Sequence, residues 1–184
     1  MTVLKQDFDA SAKPEDGVMH EAIFRNASVD TIRMLLERGG NIEEINATGH
    51  TPLIRAMLFK RLDIMQLLIE KKANLNAKAE GTGKTALMLA AICRDSAGMV
   101  RLLIESGADI DAKDTKELTA LDHAKKYDRQ DLVEVLEGVI EARATAAVTA
   151  EVRAWHATAE ENHRQIKELF LKRKKRSIIQ NAGI

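Results

Sequence analysis

Thr85-Ala86-Leu87-Met88-Leu89-Ala90, followed after a short polar break by Leu102-Leu103-Ile104-Glu105-Ser106-Gly107-Ala108-Asp109-Ile110, is the stretch on which the reading of the chain turns. Leu87, Ala90 and Ala91 recur at helical spacing. Thr85 stands where a hydroxyl accepts a free amide of a first turn, so the first block reads as a short capped helix. The second block reads as an amphipathic helix that stops at Gly107, a residue without Cβ that enters a left-handed turn without steric penalty. Small Ala90 and Ala91 let neighbouring helices approach closely. The polar string Asp111 to Leu118 then reads as an exposed turn.

Both blocks recur on either side. Thr51-Pro52-Leu53-Ile54-Arg55-Ala56 precedes and Thr119-Ala120-Leu121-Asp122-His123-Ala124 follows, the threonines being spaced by 34 and 34. Pro52 falls at a first helical position, where its missing N–H leaves no bond unmade. A further step back meets Gly17-Val18-Met19-His20-Glu21-Ala22, a degenerate copy. The second block returns as Met34-Leu35-Leu36-Glu37-Arg38-Gly39-Gly40-Asn41-Ile42 and as Leu67-Leu68-Ile69-Glu70-Lys71-Lys72-Ala73-Asn74-Leu75. A fourth copy starts as Val135-Leu136-Glu137 and departs. Helix pairs of this size cannot bury an apolar face alone, and a fixed period means that they stack.

These residues resemble the ankyrin family, whose repeat is about 33 residues with a T-P-L-H-x-A helix start and a G-A-D-x-N tail. The match covers roughly residues 16–137. It implies an all-α chain: an ankyrin-repeat solenoid of helix-turn-helix repeats with projecting turns, plus a long C-terminal helix. The units are a degenerate first one, two full ones and a final one without its closing turn. Residues 1–15 are then an N-terminal extension, and residues 138–184 a helical C-terminal extension with a basic end. The family's histidine after T-P-L is replaced by Ile54, Met88 and Asp122 and survives only as His20. In the family that histidine ties neighbouring loops together, so its loss predicts a less rigid stack. The units holding Asn26 to Ser28 and Arg94 to Gly98 each carry one extra residue between their helices.

The resemblance also implies protein binding on the concave face. The family's variable positions fall on Thr48, His50, Thr82, Lys84, Lys116 and Leu118 at the turn tips. At the ends of the first helices they fall on Phe24, Arg25, Leu58, Phe59, Ile92, Cys93, Lys126 and Tyr127. Of these, His50, Leu58, Phe59, Lys84, Ile92, Leu118, Lys126 and Tyr127 form the expected partner-binding set. Leu58, Phe59, Ile92 and Tyr127 make an apolar strip flanked by Lys84 and Lys126, the composition of an interface anchor. The alternative is that the chain's own tail covers the strip.

Beyond Glu137 the sequence is rich in alanine and holds no proline, so Asp131 to about Arg173 reads as helix, with Gly138 as the place for a kink. Val148, Val152, Trp155, Ala159, Asn162, Ile166 and Leu169 follow a 4-3-4-3-4-3 spacing, a seam of about three heptads. Val148, Val152, Trp155, Ile166 and Leu169 are its packing residues. The seam either caps the solenoid or pairs with another chain, which makes a homo-oligomer the alternative. Lys172-Arg173-Lys174-Lys175-Arg176 is a run of bases suited to a helix C-terminus. The rival reading is a targeting signal for a nucleus, a host cell or an anionic membrane.

Composition limits the remaining classes. Bases and acids balance at 28 each, which gives no long-range attraction to nucleic acid or membrane. Residues 160–184 nonetheless carry a net +4 and the rest of the chain −4. The lone Cys93 makes neither an internal disulfide nor a cysteine-based zinc site. No segment reaches the ~18 consecutive apolar residues of a membrane span, and Met1 to Gly17 lacks a signal-peptide core. A cytoplasmic protein is expected. Gly81-Thr82-Gly83-Lys84-Thr85 imitates the end of a phosphate-binding loop, but that motif needs glycine where Lys78 stands. His156, Glu160 and His163 share a helix face yet make a poor metal set. No catalytic residue, cofactor, metal or small-molecule substrate is expected, and the partner is another protein.

Overall fold

The three repeated threonines do cap helices. In the computed structural model, which describes residues 17–181 apart from the side chains of Ile166 and residues 169–181, the hydroxyls of Thr51, Thr85 and Thr119 accept from the amides of Ile54, Met88 and Asp122. At Thr119 the Asp122 carboxylate returns the bond to the Thr119 amide at 2.9 Å, which closes a capping box. The helices so started are α3 (Pro52–Leu58), α5 (Ala86–Ile92) and α7 (Ala120–Lys126); α1 (Val18–Phe24) is the degenerate fourth. Each is followed by a partner: α2 (Val29–Glu37), α4 (Leu62–Glu70), α6 (Ala97–Glu105) and α8 (Gln130–Asn181). All regular structure among the described residues is helical.

In the unit that ends at Glu137, the first helices α1, α3, α5 and α7 lie side by side in one layer. Helices α2, α4 and α6 form the second. Leu53, Met57, Leu87 and Met88 in the first layer and Ile32, Leu35, Ile64, Leu68 and Leu103 in the second are all buried. Burying one such side chain contributes about 1.5–3 kcal/mol. Ala22, Ala56, Ala90 and Ala124 are fully buried at the same place in each repeat, where any larger side chain forces the layers apart.

The turns are stitched from one repeat to the next. The Glu80 amide donates to the Gly49 carbonyl at 2.9 Å, and the Thr115 amide and hydroxyl donate to the Thr82 carbonyl at 3.2 and 2.9 Å. Gly49 is left-handed at φ 74°, and a Cβ there would come within 3.0 Å of the Glu80 amide nitrogen. Only glycine meets both demands. On the opposite edge Arg61 reaches back to the Asn26 side chain at 2.7 Å and the Ala27 carbonyl at 2.9 Å.

The extra residues between helices are where the sequence puts them: 25–28 and 93–96 are longer by one than 59–61 and 127–129. A third insertion was not foreseen. The turn closed by Ala79 and Lys84 is one residue longer than those closed by Asn46 and His50 and by Asp114 and Leu118. The two equal threonine spacings therefore come from insertions at different places.

The histidine tie is also richer than the motif suggests. His20 Nε2–H donates to the Glu44 carbonyl at 2.9 Å, as the family position implies. His123, one position later than that place, meets Asp114 at 2.8 Å with both side chains buried. Asp114 in turn accepts from the amides of Lys116 and Leu118. The last turn is thus held by a histidine hydrogen bond that the substitution at Asp122 had seemed to remove.

In the unit from Gly138 onward, α8 continues as helix through Gly138 without interruption. It is exposed along residues 141–165.

Candidate functional site

The first helices carry two rows of equivalent side chains, exposed or half-buried at every place but His123, which is buried. One row, at the helix ends, is Arg25, Phe59, Cys93 and Tyr127. The other, one turn earlier, is Glu21, Arg55, Leu89 and His123. Members four apart on one helix are neighbours, and each helix uses the pairing differently. Arg25 bonds Glu21. The Arg55 guanidinium lies over the Phe59 ring, 4.8 Å from its centroid. His123 stacks on Tyr127 at 6.4 Å.

Of the expected partner-binding residues, Leu58, Phe59, Lys126 and Tyr127 are exposed, while His50, Lys84, Ile92 and Leu118 are half-buried. His50 Nδ1 meets the Thr48 hydroxyl at 3.0 Å. Burial lowers its pKa, and the charge of Arg55 adds to the effect. Leu118 lends its backbone to Asp114 at both N–H and C=O, which makes it part of the turn's own closure.

The ring contacts gather at two places instead of along one strip. At the first, Phe59 meets Phe24 edge to face, centroids 5.7 Å apart, and Arg55 stands over both rings. Phe24 is 55% exposed and Phe59 42%. At the second, Tyr127, 48% exposed, lies on His123. Ile92 lies on α5, between the helices that carry these two clusters.

Sequence reasoning missed Arg55. Its Nε is buried without an acceptor, and it makes no ion pair among the described residues. The available signal was the i, i+4 spacing of a cation and an aromatic on one exposed face. Behind it His20 is buried, and desolvation, with the charges of Arg55 and His50 acting the same way, lowers its pKa against the raising effect of its bond to Glu44. At Asp114 burial is the strongest influence and pushes the pKa up. The amide of Leu118, the bond to His123 and the amide of Lys116 together outweigh it and hold the carboxyl below its ordinary range. This Asp–His pair closes the last turn, with Nδ1 of His123 left buried and unbonded among the described residues.

Along the second unit Val148, Val152 and Trp155 are exposed at 60%, 49% and 68%. Ile166, Leu169 and the basic run Lys172, Arg173, Lys174, Lys175 and Arg176 lie outside the described side chains. Trp155 packs edge-on against His156. No cluster of three potential metal ligands occurs among the described residues, and no described helix is long and apolar enough to cross a membrane.

The ankyrin-repeat family model, in three copies, matches residues 2–79 and 73–143. Among known proteins, the chain is 34% identical over 110 residues to the B-cell lymphoma 3 protein homolog of Mus musculus, covering 59% of this chain and 23% of that one. It is 34% identical over 86 residues to ankyrin repeat and SAM domain-containing protein 6 of Rattus norvegicus, 47% and 10% of the two chains. It is 27% identical over 118 residues to alpha-latrotoxin-Lg1a of Latrodectus geometricus, 64% and 9%. The chain spans about a quarter or less of these relatives, and what they share with it is the repeat. With capped helix pairs, stitched turns and a family match over most of its length, the chain belongs to the ankyrin-repeat family.

Proposed function

We propose that the chain is a binding module, an adaptor, inhibitor or scaffold, that holds a partner protein on the concave face formed by its first helices and turn tips. Ankyrin repeats generally mediate protein–protein interaction; the placement on this face is our reading. One observation carries it: Phe24, Phe59 and Tyr127 stand exposed on the first-helix layer. Exposed aromatics beside cations are the composition of interface anchors, and Arg55, Lys84 and Lys126 supply the cations. A pull-down comparing wild type with the Phe59→Ala, Tyr127→Ala double variant tests it. Loss of the wild-type partners from the variant is expected, and identical retained proteins refute the reading.

A second reading adds targeting. Five consecutive bases at 172–176 suit a segment that routes the module to a nucleus or an anionic membrane. Deleting them then leaves partner affinity intact and changes where the protein accumulates. An unchanged distribution overturns this addition.

A further inference from the structure

Arg55 is an unusual surface arginine. Its guanidinium lies 5.4 Å from the centroid of Phe24 and 4.8 Å from that of Phe59, so rings from two successive repeats frame it. Its Nε is shut away from water without an acceptor, and no described carboxylate pairs with it. The nearest acid in the same row, Glu21, is engaged by Arg25. Several other basic side chains of the fold are paired, Arg61 with Asp63, Arg129 with Asp131 and Lys125 with Glu137; what sets Arg55 apart is its place against two rings with a buried Nε. Contact with the two rings, which meet each other edge to face, restricts the guanidinium before anything binds. A planar fork held in that way is suited to a carboxylate approaching in two-toothed fashion. The half-buried His50 adds no negative charge nearby.

We infer that Arg55, framed by Phe24 and Phe59, is a receptor for a carboxylate side chain in a peptide segment of the partner protein. The residue beside that acid is apolar and lies against the exposed ring of Phe24 or Phe59. This rests on the first-helix face being the binding surface, and it specifies the partner's chemistry: an aspartate or glutamate next to an apolar side chain. The apolar contact gives area, and the charge-assisted pair fixes register.

The probe is a library of randomised twelve-residue peptides displayed on phage and selected on the full chain. Selected peptides are then measured as synthetic peptides by fluorescence anisotropy. The expected result is an acidic residue at a shared position beside an apolar one. Changing that glutamate to glutamine, or Arg55→Gln in the protein, weakens binding about tenfold or more, and the two changes together weaken it no further than either alone. Arg55→Lys restores charge without the fork and stays weak. Melting curves of the variants confirm that they fold. Peptides lost on Phe59→Ala but indifferent to their acid overturn the carboxylate receptor and leave the face as a binding surface. Peptides unaffected by both Phe59→Ala and Arg55→Gln overturn both readings, as does a selection that yields no binder.

Discussion

Helices α2, α4 and α6 end in the same way but not on the same residue. Gly39 and Gly107 take φ 90° and 92° just past their helices, whereas Lys72 holds the corresponding place at φ 68°. In each, the left-handed residue lets the next amide turn back to a helix carbonyl: Gly40 to Leu35, Ala73 to Leu68 and Ala108 to Leu103, all 2.9 Å. A left-handed conformation costs an L-residue about 1–2 kcal/mol. Lys72 is exposed and forms no ion pair among the described residues. Lys72→Gly therefore relieves strain and gives up no ion pair of the described residues. The greater freedom of glycine in the unfolded chain takes back about 0.5–1 kcal/mol. A net gain of about 0.5–1 kcal/mol follows, or an upward shift of melting temperature by roughly 2–4 °C. The reverse exchange is the control. A Cβ at Gly107 meets nothing within 4 Å, so Gly107→Lys is penalised by backbone strain alone and destabilises by a similar amount. Urea and thermal melts followed by circular dichroism measure both. A Lys72→Gly variant no more stable than wild type, or a Gly107→Lys variant that loses nothing, refutes the account of these helix ends.

Gly49→Ala destabilises by more than about 2 kcal/mol because left-handed strain and collision with the Glu80 backbone combine there; a smaller loss in the same melts contradicts the close approach of the turns. His20 and His50 are held below their ordinary pKa of 6.5, chiefly by burial. The unfolded chain thus binds protons more readily, and stability, full above about pH 6.5, declines as pH falls through that value. His20→Gln shallows this slope, and an unchanged slope removes His20 as its source. Asp114 acts in a lower window: its depressed pKa adds stability above the ordinary 3.8 that disappears on further acidification, so Asp114→Asn lowers the melting temperature at neutral pH, and the difference from wild type vanishes in acid. Sedimentation at rising concentration checks the heptad seam: if Val148, Val152 and Trp155 pair with a second copy, the mass doubles and Trp155→Glu restores the monomer, whereas a monomer throughout ends that reading.

The parts of the fold legible in sequence were those decided within one repeat. Thr51, Thr85 and Thr119 cap the helices they precede. Gly39 and Gly107 end helices, and the one-residue insertions between α1 and α2 and between α5 and α6 lie where the sequence puts them. What depends on two repeats at once was hidden. The third insertion, at 79–84, was masked because an insertion between α5 and α6 compensates for it in the next threonine interval. Arg55 and Phe59 could be paired by helical spacing, but Phe24 joins them only through the offset at which α1 packs on α3. His123 was passed over because it is one position from the family's histidine, although an imidazole there still reaches the Asp114 carboxylate. The residues at the place of Arg55 make the general point. Glu21, Arg55, Leu89 and His123 occupy equivalent positions on four helices, whereas the alanines next along, at 22, 56, 90 and 124, do not vary. Stacking demands a small side chain at the buried place and asks little of the outward one. His123 is turned to closing the last turn with Asp114, and Arg55, framed by the rings of Phe24 and Phe59, is the one of the four on which our proposal of partner recognition rests.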